Sequence, residues 1–194
     1  IMKNILIGVV FLVAQFPFEA MADYQDGRDA FDRGDYSAAL KEFATLAKQN
    51  DPKGQYALAV MYDIGEGVSQ NSKEAVKYYR LAGEQGFADA QNNLGVAYDQ
   101  GEGVDTDYKE AMKWYLLAAK GGNKDAPNNI GVFYMIGLGV PRNFEKAHTW
   151  FTIAGAGDSE AIRNKNFVEK KLTSDQLAES KRQAEEWRKI WLKR

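Results

Sequence analysis

A repeat of 36 residues is the feature that most constrains how this chain can fold. The tetrapeptide Gly-Glu-Gly-Val at 65–68 recurs at 101–104 and returns as Gly-Leu-Gly-Val at 137–140. Other columns keep the same register: Tyr62, Tyr98 and Tyr134; Ala75, Ala111 and Ala147; Tyr79, Tyr115 and Phe151; Ala82, Ala118 and Ala154. A period of this length is typical of proteins whose units cannot bury their own apolar face alone. The sequence therefore predicts stacked units that share one continuous core.

Each unit is predicted to contain two helices joined by the glycine loop. In the middle unit Leu94 and Tyr98 lie four residues apart, as do Ala111 and Tyr115, and this spacing places side chains on one helix face. Gly101 follows the first stripe, and glycine tolerates the left-handed conformation that often follows a helix end. We therefore expect an all-α protein, an α/α superhelical solenoid of about five stacked helix pairs.

These columns resemble the Sel-one-like repeat (SLR), a relative of the tetratricopeptide repeat. The pattern A-x-x-x-L-G-x-x-Y-x-x-G-x-G-V, then A-x-x-W-Y-x-x-A-A, is carried by Ala90, Leu94, Gly95, Tyr98, Gly101, Gly103, Val104, Ala111, Trp114, Tyr115, Ala118 and Ala119. We expect three such units over 54–158, with departures at Gly54, at Ala59 and at 153–155, where the turn is one residue shorter. Residues 23–53 resemble a tetratricopeptide-like helix pair, and 159–194 resemble the closing, capping pair of many bacterial SLR proteins.

The N-terminal segment has the pattern of a secretory signal peptide. Lys3 precedes an apolar run over 5–14, and Ala20 and Ala22 form an A-x-A cleavage pattern. The run is ten residues long, whereas a membrane-spanning helix needs about 20. We expect residues 1–22 to be removed by cleavage after Ala22. The mature protein is then periplasmic or secreted and is not expected to contact the membrane.

Composition and charge exclude several classes of function. The chain has no cysteine and one histidine, His148, so it can form neither a cysteine-ligated nor a multi-histidine metal site. The formal charge is −7 over residues 23–162 and +5 over 163–194. An acidic body argues against nucleic acid as a partner, because phosphate binding needs a continuous basic stripe. The basic last helix is open to three interpretations: a solubilising cap, a contact with anionic lipid, or a dock for an acidic partner.

Helical geometry defines a candidate binding face on the first helix of each unit, opposite the core positions of Ala90, Leu94 and Tyr98. The resemblance implies that these helices line the concave side. The candidate partner-binding residues are Tyr56, Val60, Asp63, Asn92, Asn93, Val96, Asp99, Asn128, Asn129, Val132 and Met135. Amide side chains can pair with a peptide backbone, and the valines offer apolar contact. The alternative is that these rows only touch the next unit or solvent.

The function expected from this pattern is a non-catalytic scaffold, adaptor or regulatory module of the bacterial cell envelope, which binds a protein or peptide partner. We expect no cofactor and no metal. The competing hypothesis is an SLR enzyme that binds or hydrolyses β-lactams or peptidoglycan. That branch of the family is typically rich in cysteine, and this chain also lacks an S-x-x-K motif. His148 is expected to be a packed helix residue, because the pattern supplies no catalytic partner for it. Partner identity and oligomeric state stay open.

Overall fold

The repeats fold into consecutive helix pairs. The computed structural model describes residues 23–155 and 157–191, so the signal peptide and cleavage site expected at 1–22 lie outside the described residues. Within the described ranges there are ten α-helices and no strand. They are α1 (Tyr24–Asp32), α2 (Tyr36–Lys48), α3 (Pro52–Ile64), α4 (Ser72–Glu84), α5 (Ala88–Gln100), α6 (Tyr108–Lys120), α7 (Ala126–Ile136), α8 (Phe144–Ala154), α9 (Ser159–Glu169) and α10 (Ser174–Trp191). This arrangement confirms the predicted all-α solenoid.

The loop between the two helices of a repeat is fixed by backbone hydrogen bonds. Gly101 ends α5 with φ of 75° and donates its N–H to the carbonyl of Ala97. The loop is closed where the N–H of Asp107 donates to the carbonyl of Tyr98 at 3.0 Å. The Asp107 carboxylate then caps α6. The equivalent loop-closing bonds are Asn71 to Tyr62 and Asn143 to Tyr134, both 2.8 Å.

The second glycine of each loop sits against the preceding repeat. A Cβ at Gly103 would overlap the carbonyl group of Ser72, at the start of α4. In the next repeat a Cβ at Gly139 would lie 2.7 Å from the carbonyl oxygen of Tyr108, at the start of α6. Each loop therefore approaches the backbone of its neighbour more closely than any side chain allows, and this contact sets the stacking distance.

The core continues from repeat to repeat. One buried cluster joins Tyr115 of α6 to Ile130 and Phe133 of α7 and to Trp150 of α8. The rings of Tyr115 and Phe133 meet edge to face, with centroids 5.4 Å apart. Because every cluster of this kind draws on adjacent pairs, no pair buries its apolar face by itself.

The last described helix, α10, packs chiefly on α8. Thr173 caps α10, where its hydroxyl accepts from the Gln176 N–H at 3.3 Å and Gln176 Oε1 accepts from the Thr173 N–H at 3.0 Å. Trp187 of α10 lies against Trp150 of α8, with ring centroids 5.4 Å apart. No helix in the described part of the chain is both long enough and apolar enough to cross a bilayer.

Replacing Gly103 with alanine should loosen the stack. The new Cβ meets the backbone of α4, whereas an alanine at Gly122 suffers the same positive-φ strain with nothing within 4 Å. We expect Gly103→Ala to lower the free energy of unfolding by about 1–3 kcal/mol more than Gly122→Ala does, measured by urea denaturation. Equal losses in the two variants would show that close stacking is not what requires the glycine.

Candidate functional site

The candidate binding residues lie on α3, α5 and α7 and are partly covered. Nine are half-buried: Tyr56, Val60, Asp63, Asn93, Val96, Asp99, Asn129, Val132 and Met135. The other two, Asn92 and Asn128, are only 6% and 8% exposed. The helical wheel places these two asparagines away from the core of their own repeat, but the neighbouring helices cover them.

A row of polar side chains runs along the first helices of the three repeats, α3, α5 and α7. We call this row the amide ladder; its members are Tyr56, Asn92, Asn93, Asn128 and Asn129. Asn129 donates from Nδ2 to Asn92 Oδ1 at 3.1 Å. One repeat earlier Asn93 holds the equivalent position and lies close enough to the Tyr56 hydroxyl to oppose the rise in its pKa. Burial is the main reason that the pKa of the Tyr56 hydroxyl is raised. Some of the amide groups that we expected to bind a partner are therefore already hydrogen-bonded within the protein.

Two of the candidate carboxylates are held by tyrosines of their own repeat. The Tyr79 hydroxyl donates to Asp63 Oδ2 at 3.0 Å, and Tyr115 interacts with Asp99 at the equivalent positions of the next repeat. Burial raises the pKa of both tyrosines, and it also raises the pKa of Asp99, against the effect of the Tyr115 hydrogen bond. In the third repeat both partners change together, to Met135 and Phe151. This paired change was a signal in the sequence for the contact.

The valine row has two roles. Val60 packs against the cluster that contains α4 and α5, Val96 against the cluster of α6 and α7, and Val132 against that of α8 and α9. Each valine thus packs against a cluster that its own repeat shares with the following repeat, in line with the alternative interpretation. Each is nevertheless only half-buried, so part of its surface stays available to a ligand.

The structure gathers the candidate residues into cavities along the same face. Asp63, Asn93 and Val96 line a cavity of about 150 Å³ together with Tyr79. Tyr56 and Val60 line a second cavity of about 220 Å³, which Arg28 of α1 also borders. Asn128 and Asn129 line a third cavity, of about 480 Å³, between α7 and α9. Asn92, Asp99, Val132 and Met135 line none of these three.

A buried histidine cluster was missed by sequence reasoning. His148 is fully buried, with Nδ1 2.8 Å from Ser180 Oγ of α10 and Nε2 3.0 Å from Glu169 Oε1 of α9. With a neutral ring, Nε2–H donates to the carboxylate, and Nδ1 and the carbonyl of Leu177 are then two acceptors for the single hydroxyl proton of Ser180. The partners come from helices outside the repeat, so no column of the pattern indicated them. The cluster joins α8, α9 and α10.

A serine, a histidine and a carboxylate are also the components of hydrolytic triads. Ser180, however, has no exposed surface, and its hydroxyl lies 2.9 Å from the carbonyl of Leu177. A substrate carbonyl cannot reach an oxygen that is covered on all sides. The cluster is therefore a structural link between three helices.

The described residues offer little to a metal. Within 23–155 and 157–191 no group of three or more histidine, aspartate or glutamate side chains is placed to hold an ion.

Comparison with known proteins gives the family. The Sel1 repeat model matches residues 52–87, 88–123 and 125–159. A Sel1 repeat protein from Oxalobacter formigenes has a similar structure, with a TM-score of 0.72 and 30% identity over 84% of this chain and 69% of that one. A protective antigen of uropathogenic Escherichia coli strains, described as displaying an SLR fold, is 29% identical with a TM-score of 0.60 over 88% of this chain. The match spans 46% of the antigen. No curated protein matches the chain.

The His148 cluster predicts a loss of stability on mild acidification. Burial, opposed by Glu169 and aided by Lys165 of α9 and Lys181 of α10, lowers the pKa of His148 below its ordinary value of about 6.5. The unfolded chain then binds more protons, so stability that is present above pH 6.5 is lost as the pH falls from there towards the folded-state pKa. His148→Gln should cost about 1–3 kcal/mol at pH 7.5.

Urea denaturation of the wild type and of His148→Gln between pH 7.5 and 5 checks this prediction. The other titrating groups are common to both, so the difference in unfolding free energy isolates the histidine. The gap between wild type and variant should narrow as the pH falls, and a constant or widening gap contradicts the assignment.

Proposed function

The chain belongs to the Sel1 repeat family, and we propose that it binds an extended segment of a partner protein along the face formed by α3, α5 and α7. Sel1 repeats generally mediate protein–protein interactions. The observation that carries the proposal is the row of cavities on this face, in which half-buried Val96 lies beside Asn93 and Asp63, with Val60 in the cavity before it and the amides of Asn128 and Asn129 in the cavity after it. An extended peptide presents backbone donors and acceptors together with side chains, and such a surface can satisfy both.

The charge of the described helices supports a protein partner over the other candidates. The face carries Asp63 and Asp99 within a body of net charge −7, which repels phosphate groups. The hydrolytic alternative gains no support from the described residues, since the serine beside His148 is inaccessible. A rigid surface, held by close backbone contacts between repeats, is all that a scaffold or adaptor requires.

We further propose that the protein works in the bacterial cell envelope, in the periplasm or after secretion. The support is the N-terminal pattern, in which Lys3 and an apolar run of ten residues precede Ala20-Met21-Ala22.

The binding face can be tested with a pair of matched charge insertions. Val96→Lys places an ammonium group among the cavities of the α3, α5 and α7 face. Leu117→Lys is the control: it adds the same charge on α6, the second helix of the same repeat, at a residue that is 38% exposed. Captured partners from periplasmic extract should fall by about tenfold or more for Val96→Lys and stay unchanged for Leu117→Lys.

Both variants are first checked for folding by circular dichroism and thermal unfolding. Full capture by Val96→Lys, or an equal loss for Leu117→Lys, would show that the proposed face does not carry the binding.

The export proposal has its own measurement. When the full chain is expressed in a Gram-negative host, mass spectrometry of the periplasmic fraction should find a protein that begins at Asp23. A protein recovered only from the cytoplasm with residues 1–22 intact contradicts export. Ala22→Leu, which puts a large side chain at the cleavage position, should block processing, while Ala14→Leu serves as the matched control.

A further inference from the structure

The cavity between α1 and α3 differs in chemistry from the other two cavities of the proposed binding face. Its volume is about 220 Å³. Aromatic rings form much of its wall, and they belong to Tyr24, Phe31, Phe43 and Tyr56. Each of the other two is lined by amide and carboxylate groups, among them Asn93 with Asp63 and Asn128 with Asp158. We call the space between α1 and α3 the aromatic cavity.

A close glycine contact sets the register of α1 against the later first helices. A Cβ at Gly27 would lie 2.5 Å from the ring of Phe43, just as one at Gly95 would lie 2.7 Å from the ring of Tyr115. Phe43 and Tyr115 are equivalent, because they lie two repeat periods apart. Gly27 of α1 therefore occupies the position that Gly95 occupies in α5.

This register explains why the cavity is open. Tyr24, three residues before Gly27, takes the amide-ladder position of Asn92. The side chain that would reach it from the next first helix is at position 57, one period before Asn93, and this residue is Ala57. Ala57 is 7% exposed and lines the cavity. A methyl group thus stands where the later repeats carry an amide, and it leaves space beside the rings.

The same register places a cation in the valine row. Arg28, one residue after Gly27, takes the position of Val96; it is exposed and borders the cavity. The adjacent Tyr24 hydroxyl raises the pKa of the Arg28 guanidinium, which stays charged. Among the described residues Arg28 forms no ion pair. Lys53 of α3 adds a second cation at this wall, with Nζ 5.8 Å from the centre of the Tyr24 ring.

One carboxylate also borders the aromatic cavity. Asp32 follows Arg28 by four residues on α1 and is exposed, but the two side chains do not come within ion-pair distance. The guanidinium is therefore available to a carboxylate from outside, while Asp32 reduces the attraction. The two cations beside the Tyr24 ring outnumber this one acid.

We propose that the aromatic cavity holds an aromatic side chain of the partner segment, with an adjacent carboxylate of that segment bound to Arg28. Tilted ring pairs are favourable beyond the area they bury, and Tyr24 and Phe43 already form one, at 40° with centroids 5.8 Å apart. The volume lies below the roughly 300–1,000 Å³ of pockets for drug-sized ligands, which suits a single side chain. The proposal rests on the function proposed above and adds the chemical class of the segment.

The test is a two-by-two set of small probes. The full-length protein, with ¹³C-labelled alanine and valine methyl groups, is titrated with N-acetylphenylalanine, its amide, N-acetylalanine and its amide. The methyl signals of Ala57 and Val60 are followed by NMR. We expect saturable shifts with both phenylalanine probes, with the amide about threefold weaker, and none with the alanine probes. No saturable shift with N-acetylphenylalanine, an equal response to N-acetylalanine, or equal affinity for acid and amide overturns the proposal.

A variant that fills the cavity separates this site from binding elsewhere. Ala57→Asn supplies the amide that the later repeats carry at this position, and it should abolish the response of Val60 to N-acetylphenylalanine. Ala178→Asn, at an exposed position of α10, is the matched control and should keep the response. Undiminished binding by Ala57→Asn, with a melting temperature close to that of the control, overturns the proposal.

Charge variants at the rim decide the matter if Ala57→Asn does not fold. Arg28→Gln should weaken N-acetylphenylalanine about threefold and leave its amide unchanged. Arg33→Gln removes an exposed cation that does not line the cavity and should change neither. Asp32→Asn should strengthen binding of the acid. An unchanged affinity of Arg28→Gln for the acid, or an equal loss for acid and amide, overturns the proposal.

Two further probes test the choice of ligand. Four rings can also hold a quaternary ammonium group, although Arg28 repels a cation; a tighter response to tetramethylammonium than to N-acetylphenylalanine overturns the proposal. Equal affinity for N-acetylcyclohexylalanine overturns it too, because that side chain has no π-system.

These probes do not depend on Val96, so their result is independent of the Val96→Lys experiment. Loss of the probe response, with capture still dependent on Val96, removes only the aromatic-residue inference. A retained probe response, with capture independent of Val96, removes only the extended binding face.

Discussion

The structure depends on the close approach between the glycine loop of one repeat and the backbone of the repeat before it. Gly103 lies against Ser72, and Gly139 lies against Tyr108, at distances that leave no room for a Cβ. A backbone-to-backbone contact can hardly be adjusted by repacking side chains. It therefore fixes the rise from one helix pair to the next. The constant period of the sequence is the consequence of this geometric requirement.

A fixed rise also explains why polar side chains recur in contact. Asn129 meets Asn92 because equivalent positions on successive first helices are always the same distance apart. The same regularity makes any change of spacing consequential. Where the turn loses one residue before α9, the next amide misses Asn128, and a cavity with uncompensated carboxylates opens.

The helices and their order were predictable because helical periodicity and glycine stops are local properties of the sequence. The burial of Asn92 and Asn128 was not predictable. A helical wheel identifies the core side of a helix within its own repeat, but it does not show which side chains the neighbouring repeat buries. The partners of His148 come from α9 and α10, where no repeat column guides alignment. The pairing of Asp63 with Tyr79 was within reach, because both partners change together in the third repeat.

A stack of equivalent units has no natural end, and the attachment of α10 to α8 provides one. Trp187 and Ala184 cover apolar surface of α8, including Trp150, on which a further unit could otherwise be built. The buried bond between His148 and Ser180 keeps this cover in place. Within the described residues α10 therefore shields a side of α8 whose aromatic surface would otherwise be exposed to solvent or to another molecule.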